Sequence, residues 1–403
     1  GLQIIDNPRV YKEAELLASL GYSVEVLGVN VDLNAQSRIA ELIDNAKWKF
    51  IPVVDVSLGT VASKLALLQM KSRRKLAVWL QRHLRFESVD GMGYLSRKLF
   101  DVARQRNADL YIVHSEPTMY AGMRLLALGR RVAFDLEDWY SQDGLLEDQF
   151  IRPMGLIRNF ESYLLSNAAY TTTTSQSMSS AVAVAYNCSL PKVVYNSFPH
   201  LAHHSSQEFN ERRNSEALSI VWFSQTIGPG RGLEDLFNAM ANICSEYNVE
   251  LHIRGTPRLG IENELRARLP EYLNANVYFY PQVPQSELHF RLKQHDIGFC
   301  GELADCANRD LTVTNKILEY LRAGLAVVAS DTEGHKEIGK FARGVFLYEQ
   351  GNGNALREKI VMLINSPGTV KASKAKNHLA GQEYFNWEKS SKVIVKLVAE
   401  ALG

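Results

Sequence analysis

Thr312–Ile338 reads T-V-T-N-K-I-L-E-Y-L-R-A-G-L-A-V-V-A-S-D-T-E-G-H-K-E-I. From Asn315 to Arg322 the apolar residues recur at helical spacing, and Gly324 ends the helix. Leu325–Ala329 is a short continuous apolar run, which predicts a buried strand, and a polar turn around Gly334 leads toward another helix. Helix, strand, turn and helix in that order predict a parallel α/β layer. The apolar faces go inward, and Asn315, Lys316, Glu319 and the Gly334–His335 turn are left at the edges. A cation, a carboxylate and a glycine turn offering backbone amides suit an anionic ligand that also carries hydroxyls.

Upstream, Ser219–Phe223 predicts a strand, Gly228-Pro229-Gly230-Arg231-Gly232 a glycine-rich turn, and Leu233–Cys244 a helix with Glu234 and Asp235 in its first turn. Turn amides and a helix N-terminus form a ready phosphate site, with Arg231 at its mouth for a bidentate contact. The spacing fits neither the Walker nor the dinucleotide fingerprint. Further strands are expected at Glu250–Ile253, Val277–Tyr280, Ile297–Cys300 and Ala326–Ala329, and a last long helix from near Trp387.

His200–Ala217 is polar, patternless and preceded by Pro199, which predicts a linker at 200–217. His200, His203 and His204 within it have two readings, metal ligands or a solvated linker, and their spacing fits no standard ligand pattern. The first half is a second α/β pattern. Asp6-Asn7-Pro8 opens a helix carrying Arg9, with Val10, Ala14, Leu17 and Ala18 facing a core, and Gly21 ends it before a strand at Val24–Val29. Leu2–Ile5 reads as a fragment of the strand an α/β domain places before such a helix, an expectation that puts the true N-terminus upstream of Gly1; the opening does not read as a signal peptide. More strands are expected at Asp109–His114, Arg131–Asp135, Ala169–Thr174 and Val193–Tyr195, each ending in polar residues. Open parallel sheets bind ligands beyond the carboxyl ends of their strands, so His114, Glu116, Asp135, Glu137 and Asp138 are site candidates. The alternative for each alone is a helix cap or a solvated loop residue, while together these strand-end groups point to a cleft.

Residues 56–86 contain Lys64, Lys71, Arg73, Arg74, Lys75, Arg82 and Arg85 and no acid, interleaved with Leu65, Leu68, Leu76, Val78, Trp79, Leu80, Leu84 and Phe86. A helix cationic on one side and apolar on the other is either a membrane-surface anchor or a solvated basic face over its own core. No nucleic-acid motif surrounds it.

At 403 residues, 46% hydrophobic, 22% charged and net +1, the chain is long enough for two domains and gives no whole-molecule affinity for nucleic acid. Cys188, Cys244, Cys300 and Cys306 form no C-x-x-C pair and read as reduced thiols of a cytoplasmic protein. No apolar run reaches the ~18–20 residues that span a bilayer.

With both halves laid out, the chain resembles the family 4 glycosyltransferases of the GT-B fold over nearly its whole length. The resemblance is carried by D-N-P-R-V-Y-K-E-A-E-L-L-A-S-L-G-Y-S-V-E-V-L-G at 6–28, Y-I-V-H-S-E at 111–116, V-V-Y-N-S-F-P at 193–199, W-F-S-Q-T-I-G-P-G-R-G-L-E at 222–234 and F-N-W-E at 385–388. The most specific stretch is N-K-I-L-E-Y-L-R-A-G-L-A-V-V-A-S-D at 315–331. It implies two Rossmann-like domains with parallel sheets facing a central cleft: an acceptor-side domain at 1–199, a donor-nucleotide domain at 218–384, and a final helix at 385–403 crossing back to the first domain.

The implied activity is transfer of a hexose-like sugar from a nucleotide diphosphate sugar to a glycan or lipid-linked acceptor, with retention and without a metal or other cofactor. The enzyme is expected in the cytoplasm, peripheral on an anionic inner membrane face, working in polysaccharide or glycolipid assembly. Glu319 is then expected on the ribose hydroxyls, Arg231 and Lys316 on the diphosphate, and His114 near the transferred sugar. Gly228, Gly230, Gly232, Asn315, Gly334 and His335 complete the donor site. Two positions depart from the family pattern. Leu311, beside Asp310, stands where the first of two glutamates is usual, and Gln225 and Thr226 stand where a basic residue is frequent. The alternatives are an inverting transferase or sugar-nucleotide epimerase on the same fold, and a non-catalytic partner of another transferase.

Overall fold

A computed structural model of the chain describes residues 4–31, 36–57, 59–93, 95–145, 150–199, 216–243 and 247–403. His200, His203 and His204, most of the expected linker, and Cys244 lie outside these residues. The chain divides into two compact units, Gly1–Val194 with Ser391–Gly403, and Tyr195–Ser390.

In the first unit, Asn7 caps the helix Pro8–Ser19, its side chain accepting from the amides of Arg9 (3.1 Å) and Val10 (3.3 Å). Ile4–Asp6 is a 3-10 turn rather than part of a strand, because the Asn7 amide folds back onto the Ile4 carbonyl (3.3 Å) and Ile4 is buried with Ala14, Val26 and Trp48. Strands β1 (Glu25–Asn30) and β2 (Lys49–Asp55) pair in parallel. Strands β3 (Tyr111–His114), β4 (Val132–Leu136), β5 (Thr171–Thr173) and β6 (Lys192–Val193) form a separate parallel sheet in that order. Among the described residues β1 and β3 do not pair. A cavity of about 680 Å³ is lined by both strands, by Val10, Ala14 and Leu17, and by Leu125.

The second unit holds one parallel six-stranded sheet, built of β7 (Leu218–Ile227), β8 (Val249–Pro257), β9 (Val277–Tyr280), β10 (Ile297–Cys300), β11 (Ala326–Ser330) and β12 (Val345–Tyr348), in the order β12-β11-β10-β7-β8-β9. β11 is buried along its length, as its uninterrupted apolar reading requires of a strand covered on both faces. Trp222, Phe237 and Phe299 anchor the core. The chain runs from β7 out to β9 and returns to β10 on the other side of β7. The carboxyl ends of β7 and β10 are therefore the switch point, where open α/β sheets bind ligands. The final helix, Trp387–Leu402, begins in the second unit and ends in the first. Among the described residues no helix is long and apolar enough to cross a membrane.

Candidate functional site

The glycine-rich turn lies at the β7/β10 switch point of the second unit. Gly232 has φ +72°, and a Cβ there would sit 2.1 Å from the Gly301 carbonyl oxygen, so only glycine lets the turn after β7 meet the end of β10. The Gly230 amide donates to Glu234 (3.2 Å), so this first-turn carboxylate occupies one of the amides expected to face a phosphate. Arg231 is exposed, with Nη1 3.2 Å from Ser224 Oγ. Arg258, at the carboxyl end of β8, lies over Gly228, whose Cβ would be 3.2 Å from the Arg258 Nε. This exposed guanidinium supplies a cation to a turn that has Gln225 and Thr226 where the family pattern has a basic residue.

The helix Asn315–Ala323 brings Lys316 to the same end of the sheet. Its ammonium is ion-paired with Glu302, which follows β10, and stands 5.8 Å from the Trp222 ring centre. Burial alone raises the Glu302 carboxyl. The Lys316 ammonium outweighs this and holds it below the usual range, with a smaller contribution from Arg231. Asn315 accepts from Asn196 (3.1 Å). Glu319 has no exposed surface. Its carboxylate accepts from Gln285 and from Arg322 Nη1 (3.2 and 3.4 Å), so a ribose reaches it only if Gln285 gives way.

Gly334 packs on backbone, since a Cβ would lie 2.2 Å from the Thr312 oxygen. The amides beside it are engaged: His335 N donates to Thr332 Oγ1 (3.2 Å), and Glu333 N to Asp310 Oδ1 (3.0 Å). Asp310, beside Leu311, thus serves as a helix-start acceptor. His335 is fully buried with Nδ1 2.9 Å from the Ser330 carbonyl, and burial pushes its pKa down. A neutral ring donating through Nδ1 leaves Nε2 as a bare acceptor, without a hydrogen-bond partner among the described residues.

The first unit gathers His114, Asp135 and Glu137 into one buried network. His114 Nδ1 is 3.1 Å from Asp135 and 3.0 Å from Glu137, and Nε2 is 3.3 Å from Glu13. Burial opposes the charged ring, but these three carboxylates raise its pKa well above the ordinary value. Arg9, 1% exposed, grips Asp135 through Nε and through Nη2 (2.7 Å), and Nη1 donates to the Val194 carbonyl (2.5 Å). Asp135 also accepts from Thr172 Oγ1 (2.6 Å). Although burial disfavours its charge, the Arg9 and His114 cations hold it far below the carboxylate range. Asn7 Nδ2 donates to both oxygens of Glu137 (2.9 and 3.1 Å).

Glu13, His114 and Asp135 present converging ligand-type atoms within 4.8 Å, but a metal ion there would meet the Arg9 guanidinium that already grips Asp135. Glu116 pairs with Arg152 (2.5 Å), while Asp138 is half-buried after β4. Between β3 and the helix Glu116–Ala127, Ser115 holds φ +70° and ψ 154°, a strained backbone for a residue with a side chain.

The basic stretch forms the helix Val61–Leu84, capped by Thr60. Lys64, Lys71, Arg73, Lys75, Trp79, Arg82 and Arg85 are exposed. Arg74 is half-buried, with Glu116 in its field, and does not share that surface.

Residues 217–366 match the family described as Glycosyl transferases group 1. No curated protein matches the chain. Among solved structures, sucrose-phosphate synthase from Thermosynechococcus elongatus aligns with a TM-score of 0.70 at 14% identity, over 98% of this chain and 93% of its own. A glycosyltransferase from Rickettsia africae aligns at 0.64 and 12% identity, over 97% and 93%. Anabaena HepE in complex with UDP aligns at 0.64 and 17% identity, over 94% and 100%. At these identities the likeness is one of fold. The chain has the GT-B fold with two Rossmann-like units, and the match to the group 1 glycosyl transferases falls within the second.

Proposed function

We propose that the protein is a glycosyltransferase that moves a sugar from a nucleotide diphosphate sugar to an acceptor hydroxyl. The observation that carries this is the meeting of the Gly228–Gly232 turn with Arg231, Arg258 and Lys316 at the β7/β10 switch point of a group 1 domain. Departure of a nucleoside diphosphate concentrates charge on its oxygens, and preorganised cations and amides stabilise that charge. Arg231 and Arg258 take the diphosphate from the turn side and Lys316 from the other. His335 Nε2 accepts from a donor hydroxyl. His114, its pKa raised by the carboxylates around it, acts as a hydrogen-bond donor rather than a base.

HepE was solved with UDP and with UDP-glucose, so uridine donors are the first to try. Transfer proceeds with retention, no metal is needed, and the acceptor is a glycan or lipid-linked glycan met at the inner face of the membrane. The test is incubation with UDP-, GDP- and ADP-linked hexoses and NMR of the product anomer. An axial product from an axial donor supports the reading, and an inverted product removes retention from it. A second reading, a non-catalytic partner on the same fold, is favoured by how fully the site satisfies itself. Gln285 and Arg322 cover Glu319, Glu302 holds Lys316, and Glu234 holds the Gly230 amide. Failure of every donor to bind or react would select it.

A further inference from the structure

The helix Val61–Leu84 carries a second, exposed apolar face. Val61, Leu65, Leu68, Leu76 and Trp79 are 74, 58, 61, 58 and 52% exposed. With about 100° between successive helical residues, these five fall within a sector of about 80°. Buried Ala77 and Gln81, and half-buried Met70, lie on the opposite side and hold the helix to its unit. The exposed apolar groups are therefore not the outer rim of a core face. They form a separate stripe, diametrically opposed to it. Lys64, Lys71, Lys75 and Arg82 fall together in a sector of about 40° beside the stripe. Phe86, 60% exposed, follows the helix end at Arg85. No acidic residue occurs between 56 and 86.

We infer that this face docks on an anionic lipid bilayer, with the helix lying in the plane of the surface. Leucines and a tryptophan enter the headgroup boundary while the row of cations beside them meets lipid phosphates, the arrangement of interfacial helices. At 24 residues the helix presents roughly 36 Å of such surface. Charge selects the bilayer over an apolar protein groove, because every formal charge along the face has one sign and an anionic surface complements all of it at once. The inference deepens the membrane location within the proposed function and rests on that reading only for the acceptor. Docking itself is independent of the nucleotide site.

The test is flotation with vesicles of phosphatidylcholine, with and without phosphatidylglycerol, in low and high salt. The chain is expected to float with the anionic vesicles alone, and less in high salt. Leu65→Ser/Leu68→Ser/Trp79→Ser and Lys64→Ser/Lys71→Ser/Lys75→Ser/Arg82→Ser should each weaken binding at least about tenfold. The altered side chains are exposed, so both variants should keep the parental melting temperature and nucleotide affinity. A parent that stays unbound to anionic vesicles, or variants that float as it does, would overturn the inference. Vesicle binding without binding of any nucleotide would strike the proposed function and leave the docking face standing.

Discussion

The two units place charge at the carboxyl ends of a parallel sheet in opposite ways. In the second, six strands close into one sheet, and Arg231 and Arg258 stand exposed around a glycine turn. In the first, β1–β2 and β3–β6 form two separate sheets, and Arg9, Glu13, His114, Asp135 and Glu137 turn on one another with little exposure to water. Cations left exposed beside turn amides can meet an anionic ligand, whereas cations buried with carboxylates form a structural ion network. Burial decides which.

The largest expected effect breaks the buried side of this contrast. Asp135→Ala strands Arg9 and His114 without their shared carboxylate and should cost about 3–5 kcal/mol in denaturant unfolding. A loss under about 1 kcal/mol would show that the network contributes little. The pH dependence has two signs. Asp135, depressed in the folded state, contributes stability above its unfolded pKa of about 3.9, and this is lost as pH falls toward its lower folded value. His114, raised in the folded state, contributes fully below about 6.5 and loses this as pH rises through its higher folded value. Stability of the first unit should therefore fall at both extremes.

On the exposed side, Arg258→Ala should leave the melting temperature unchanged and weaken nucleoside diphosphate binding by about 1.5–3 kcal/mol, the worth of a charge-assisted hydrogen bond. Unchanged affinity in calorimetry would remove Arg258 from the site. Smallest is Ser115→Gly, which relieves the positive φ and should stabilise by about 1 kcal/mol in thermal melts.

What the sequence made legible follows from how local each signal is. Ala326–Ala329 was readable because a strand covered on both faces is apolar throughout. The strand Lys49–Asp55 was not, because Pro52 breaks its pattern. Pro52 is tolerated on an edge strand, where it lies opposite Gly28 next to a register shift. Val345–Tyr348 is likewise a short edge strand.

In the site, Lys316 and Arg231 announced themselves by their context of helix start and glycine turn. Glu302 did not, because it acquires meaning only through Lys316, fourteen positions away in the sequence. Arg9 read as an ordinary helix-start residue, yet its partner Asp135 arrives from another strand. Arg258 sits in R-G-T-P-R at 254–258, a strand end whose nearness to Gly228 only the β7/β8 pairing creates. The basic helix was legible in composition. That its exposed apolar stripe opposes its buried face was not, because both stripes consist of the same residue types.

The most direct test of the nucleotide site is calorimetric titration of the chain with UDP, GDP and ADP, repeated on the Arg231→Ala/Arg258→Ala double variant. One nucleoside diphosphate should bind the parent, and the double variant should bind it at least a hundredfold more weakly while melting at the parental temperature, about 2.7 kcal/mol or more. Absence of binding to the parent, or equal affinity in parent and variant, would contradict a diphosphate site at the β7/β10 switch point.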